Sequence, residues 1–173
     1  SDALVGGATA QSEASELYKK GLEAEKKGDY SQAEKLFREA DAKYSTLNSK
    51  FAIGRVLQGQ SKYKESLPYL KEVAEAKNVE DKYKPTVVAA KDSVKYAEEN
   101  IIYPGLGAGD NYEYRNVGGK WQTKEKGKEE WVDIESSKKG DPKLAIERLE
   151  KAYGGTSVAS TEPSIKPEDK TVL

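Results

Sequence analysis

The chain has 173 residues, 36% of them hydrophobic and 34% charged, with a formal net charge of −1. That is enough apolar material for one folded domain, and it leaves no bulk charge to draw the chain onto nucleic acid or anionic lipid. There is no cysteine and no histidine, which removes disulfides, thiolate metal ligands and the commonest general base together.

Residues 1–11 are small and polar, with Gly6-Gly7 and several alanines. They lack the charged start and apolar run of a signal peptide. A flexible lead is expected here, either the stub between a membrane anchor and a folded domain or the end of a trimmed chain. No run approaches the ~20 apolar residues a bilayer needs, so no transmembrane segment is expected. A membrane link would be a tether through the lead. The absence of cysteine favours the cell envelope or periplasm, as an exported or anchored protein; the alternative is the cytoplasm.

Ser12 or Ser15 can cap the first helix, with Glu16 close behind. That helix is expected to run to about Lys27, with Leu17, Gly21 and Ala24 on one stripe. Gly28-Asp29 is a turn signal, because glycine tolerates the left-handed backbone and aspartate caps the helix that follows. Ala33, Leu36, Phe37 and Ala40 then fall at i, i+3, i+4 and i+7 on a second helix, from Tyr30 to about Leu47. A connection this short makes the pair antiparallel.

Residues 14–47 resemble the tetratricopeptide repeat, a 34-residue helix–turn–helix unit. Leu17 stands where that family usually has Trp, Gly21 holds the glycine place, Ala24 replaces the Tyr, and Ala33, Phe37 and Ala40 match the second helix. The pattern recurs. Gly54, Tyr63 and Leu70 each lie 33 residues after Gly21, Tyr30 and Phe37. A second copy thus spans about 47–80, with Ser66 and Val73 at the two small-residue places. Lys26-Lys27-Gly28-Asp29 is echoed by Lys138-Lys139-Gly140-Asp141, with Ala145, Leu149 and Ala152 following at the spacing of Ala33, Phe37 and Ala40. The resemblance covers roughly 12–80 well and 125–154 partly. It implies an all-α solenoid of antiparallel helix pairs, about seven helices in one domain over 12–155. The third unit, 85–153, would be degenerate and interrupted by an insertion at 103–124.

Asn48 and Ser49 mark the next break, and helix three is expected over about Ser49 to Gln58 with Phe51, Ile53, Gly54 and Leu57. Gly59-Gln60-Ser61 makes the second turn. Helix four runs from about Lys62 to Ala76, with Pro68 about one turn inside it. Residues 77–84 read as a polar connection. Pro85 then suits the first position of helix five, whose stripe is Val87, Ala90, Val94, Ala97 and Ile101.

Residues 103–124 break the helical pattern with five glycines and the aromatics Tyr103, Tyr112, Tyr114 and Trp121. Tyr112–Arg115 and Lys120–Thr123 could pair as a short β-hairpin around Asn116-Val117-Gly118-Gly119. The other reading is a long loop draped over the helices. The glycines match no phosphate loop, because no Gly-Lys-Ser/Thr follows. Mixed charges at 124–139 read as the solvated face of a sixth helix, with Trp131 and Ile134 imitating a repeat start. The phase is off, since Trp131 to Ala145 is 14 residues and Leu17 to Ala33 is 16. A seventh helix is expected from Pro142 to Tyr153, and 156–173 as a disordered tail.

In the family that the chain resembles, the first helix of each pair lines a concave binding face. The resemblance therefore points to Tyr18, Leu22 and Glu25 on the first helix and Phe51, Arg55 and Gln58 on the third. The subfamily that clamps a chaperone's C-terminal carboxylate has Lys and Asn at such places; Tyr18 and Leu22 here argue against that specificity. The expected activity is a non-enzymatic scaffold or adaptor that binds a peptide or partner helix. The alternative is a carrier whose 103–124 loop roofs a groove for a small apolar ligand. A second candidate surface is Tyr112, Tyr114, Arg115 and Trp121. Stacking aromatics beside Arg115 and Lys120 are one way to hold single-stranded nucleic acid, but the near-zero net charge argues for packing with a solvated rim, and no nucleic-acid partner is expected. No cofactor or metal is expected. For catalysis only carboxylates such as Asp110 and Glu113 are on hand, with no distinctive motif around them.

Overall fold

A computed structural model describes residues 2–137 and 140–154. Among them the chain is mostly helical: α1 (Asp2–Lys26), α2 (Tyr30–Lys43), α3 (Leu47–Gly59), α4 (Tyr63–Ala74), α5 (Lys84–Asn100) and α6 (Pro142–Tyr153). A four-stranded antiparallel sheet, β1 (Tyr103–Pro104), β2 (Tyr112–Val117), β3 (Lys120–Glu125) and β4 (Val132–Asp133), lies in sequence between α5 and α6. The fold is therefore not all-α, and six helices rather than seven are present among the described residues. The chain divides into two compact units, with the boundary at Val94–Lys95 inside α5.

The first unit holds α1 to α4 and the start of α5. The turns of its two helix hairpins share backbone geometry at an offset of 33 residues. Gly28 takes a positive φ of 80° and Ser61 one of 62°. The Asp29 amide donates to the Ala24 carbonyl at 2.9 Å, and the Lys62 amide to the Leu57 carbonyl at 2.9 Å. Behind each turn a glycine meets a large side chain. A Cβ on Gly21 would lie 2.5 Å from the Phe37 ring, and one on Gly54 would lie 2.5 Å from Leu70. Ala33, Phe37, Ile53, Val56 and Leu57 are buried together around these contacts.

Helix boundaries differ from expectation where side chains cap differently. α1 starts at Asp2, not at Ser12 or Ser15. α2 stops at Lys43, and Leu47 to Ser49 belong to α3 rather than to a break. The reason is a buried capping box. Thr46 Oγ1 accepts from the Ser49 amide at 3.0 Å, and Ser49 Oγ accepts from the Thr46 amide at 2.9 Å. Ser49 Oγ also donates to Asp41 Oδ1 at 2.7 Å, which fixes the end of α2 against the start of α3. Tyr83, inside the expected polar connection, is buried with Leu47, Val73 and Ala90.

The second unit is the sheet with α6. The hairpin reading holds and extends further than expected. β2 pairs with β3 along all six positions, from Tyr112 opposite Glu125 to Val117 opposite Lys120. Gly118 and Gly119 close it with φ of 62° and 85°, the left-handed pair that a two-residue type I′ loop demands. The helix expected at 124–139 does not form. β3 continues to Glu125, Gly127 turns the chain at φ 84°, and Val132 and Asp133 pair back onto Thr123 and Gln122. Pairing is available there because Trp131 packs over Arg115 and Lys124 instead of opening a repeat. Strand alternation gives the sheet one apolar face, where Trp121, Ile134 and Leu149 are buried together with Tyr103, Tyr114 and Ile146 against them.

The Gly140-Asp141 echo is real as a cap. Gly140 has φ 67°, and Asp141 accepts from the Leu144 amide as Asp29 accepts from Gln32. What precedes it is a 3-10 turn over Ile134–Ser136 rather than a helix. Lys138, Lys139 and the expected tail 156–173 lie outside the described residues.

Candidate functional site

Tyr18, Leu22 and Glu25 stand on α1 at i, i+4 and i+7, and Phe51, Arg55 and Gln58 repeat that spacing on α3. The structure brings four of the six together. Arg55 Nε donates to Glu25 Oε2 at 2.5 Å and Nη2 to Oε1 at 2.7 Å, a two-point clamp between the helices. The guanidinium lies 5.3 Å from the Phe51 ring centroid and 5.9 Å from that of Phe37. Tyr18 packs on Phe37 with ring centroids 5.3 Å apart. Burial raises the Tyr18 phenol above its ordinary range, against the opposing pull of Arg55. Burial alone would lower the Arg55 pKa, but the Glu25 bonds and charge outweigh it, so Arg55 is raised.

Gln58 Nε2 donates 2.9 Å to the Ser93 carbonyl, joining α3 to α5. Side chains from the candidate set thus knit α1 to α3 and α3 to α5. Leu22 differs, remaining 40% exposed. Carried one step further, the 33-residue phase runs Leu22, Arg55, Val88, and Val88 is 57% exposed. The sequence reading stopped the ladder at Arg55 and missed Val88, though the phase alone was enough to find it. Val88 borders a cleft of about 490 Å³ lined also by Val79, Val87, Lys84 and Lys91.

In the second unit, strand alternation splits the other candidate surface. Trp121 is 3% exposed and packs at 5.6 Å from Tyr103, and Tyr114 leans on the same cluster. Arg115 belongs with Trp131, 4.4 Å from that ring, while its Nε donates to Gln122 Oε1 at 2.7 Å. Burial lowers the Arg115 pKa. Tyr112 offers its main-chain N–H to Asp110 Oδ1 at 3.0 Å. The two carboxylates weighed for catalysis are engaged separately: Glu113 by Lys124 Nζ at 2.8 Å, Asp110 by Tyr112 and Tyr114.

Among the described residues no three histidine, cysteine, aspartate or glutamate groups gather as a metal site. No described helix is long and apolar enough to cross a membrane. No family model matches this chain, and neither a curated protein nor a solved structure matches it.

Proposed function

We propose that the first unit is a non-enzymatic interaction module of the tetratricopeptide kind, which takes a partner helix or peptide along the face shared by α1, α3 and the first part of α5. The observation that carries this reading is the ladder Leu22, Arg55, Val88. Three positions fall at one 33-residue phase on α1, α3 and α5, and the two apolar ones are exposed. A contiguous exposed apolar patch is a usual mark of a docking surface, and the reading requires Leu22 and Val88 to belong to one. The shared main-chain geometry of the two helix turns, with a glycine against a large side chain behind each, supports the repeat architecture. Arg55 and Glu25 serve that face as its frame rather than as free contacts, because each satisfies the other.

The test is recovery of partners by the intact chain against a variant carrying Leu22→Asp and Val88→Asp. Partners should be lost from the variant while its unfolding midpoint stays within error of the parent. Unchanged recovery would remove this face from consideration.

A further inference from the structure

A cleft of about 300 Å³ lies between the loop that ends at Asp110, strand β2 and helix α6. Leu106, Ala145 and Leu149 supply apolar walls, and Asp110, Tyr114 and Arg148 supply the polar groups. All six belong to the second unit.

The Asp110 carboxylate is built into place. Gly105 makes room for it, since a Cβ there would sit 2.3 Å from Asp110 Cγ. The Tyr112 amide donates to Oδ1 at 3.0 Å and the Tyr114 hydroxyl to Oδ2 at 3.1 Å. A carboxylate offers about four acceptor positions, so both oxygens keep capacity for another donor. Burial and the Asp110 charge push the Tyr114 phenol up to about 12, so it remains a donor at neutral pH.

Arg148 stands on the α6 wall and makes no hydrogen bond or ion pair among the described residues. The cleft therefore holds a fixed carboxylate and a guanidinium that form no ion pair with each other. A lone anion would meet Arg148 but be repelled by Asp110, and a lone cation the reverse. A molecule carrying both charges satisfies both. Its body must be apolar to lie on Leu106 and Leu149, and Leu106 is 46% exposed. The volume lies at the small end of ligand sites, where one amino acid fits and an extended peptide does not.

We propose that this cleft binds a free α-amino acid with an apolar side chain. Its carboxylate pairs with the Arg148 guanidinium, its ammonium with Asp110, and its hydrocarbon covers Leu106 and Leu149. The planar guanidinium suits a two-point carboxylate contact. This site is separate from the face proposed for partner docking, and either can fail without the other.

The test uses the full chain, titrated calorimetrically with L-leucine and with two relatives that each lack one charge, leucinamide and 4-methylpentanoate. Leucine should bind, and each relative should bind at least about tenfold more weakly, the loss of one charge contact. Arg148→Gln, with an unchanged circular dichroism spectrum, should weaken leucine by a similar factor and leave leucinamide binding no weaker. Amide resonances of Gly107, Asp110 and Ala145 should shift on adding leucine. Absence of binding at millimolar leucine, equal binding of leucinamide, or an Arg148→Gln variant that binds leucine like the parent would each overturn the proposal.

Discussion

Arg55 on α3 grips Glu25 on α1 with both ends of its guanidinium, at 2.5 and 2.7 Å, across 30 residues of chain. The clamp turns two charged groups of the candidate face into structure. Their side chains are only 32% and 18% exposed, so removing one partner strands the other in a poorly solvated place. Glu25→Ala or Arg55→Ala should each cost about 2 kcal/mol, the range for hydrogen bonds to charged groups. The double variant should cost clearly less than the sum. Urea unfolding of the three variants measures this, and strict additivity would mean that the pair is not coupled.

Gly21 and Gly54 carry the same physical demand. A methyl at Gly21 would lie 2.5 Å from Phe37, and one at Gly54 2.5 Å from Leu70. Overpacking of this sort costs about 1–3 kcal/mol. Gly21→Ala should destabilise the chain by that amount, and adding Phe37→Leu should return part of the loss. Chemical denaturation of the single and paired variants checks it. A paired variant that is merely additive would show that Phe37 is not what the methyl meets.

The two glycine contacts were legible because glycine and its large neighbour recur together. Gly21 with Phe37 and Gly54 with Leu70 are visible in the sequence as a 33-residue phase. Gly118-Gly119 also announced its turn, since few other pairs accept two positive φ values. The start of α3 was not legible. Asn48 and Ser49 look like a break until Thr46 and Asp41 are seen to satisfy Ser49. The region 124–139 misled because its mixed charges suit a solvated helix face, while its pairing depends on Thr123 and Gln122, nine to eleven residues back in the chain. In the candidate face, residue types identified the positions. They gave no sign that Arg55 and Glu25 would close on each other, because that depends on how α1 and α3 lie together.

The capping box at Thr46 yields a third expectation. Thr46 and Ser49 are fully buried, and each satisfies the other's main-chain N–H. Thr46→Ala leaves the Ser49 amide without its acceptor at the N-terminus of α3. The cost should be about 1–2 kcal/mol. Thr46→Ser keeps the oxygen and should recover most of it. Thermal unfolding of the two variants separates the cap from the loss of the Thr46 methyl, and equal damage by both would assign the effect to packing.

Tyr114 gives the chain an alkaline signature. Burial, and then the charge of Asp110, raise its phenol from 10.0 to about 12. The folded chain thus holds this proton more tightly than the unfolded chain does. A group raised on folding contributes stability that is complete below its unfolded pKa and fades as pH climbs through its folded one. The contribution is therefore whole below pH 10 and fades between pH 10 and 12. Tyr114→Phe removes both the proton and the hydrogen bond to Asp110, at 3.1 Å in the parent. The variant should be less stable than the parent at neutral pH, and the gap should narrow as pH rises from 10 towards 12. Urea midpoints of both proteins across that range read the gap. The difference in tyrosinate absorbance between them reads the ionisation of Tyr114 directly and should have its midpoint near 12. A midpoint near 10, or a gap that stays constant with pH, would show that neither burial nor Asp110 holds the Tyr114 proton.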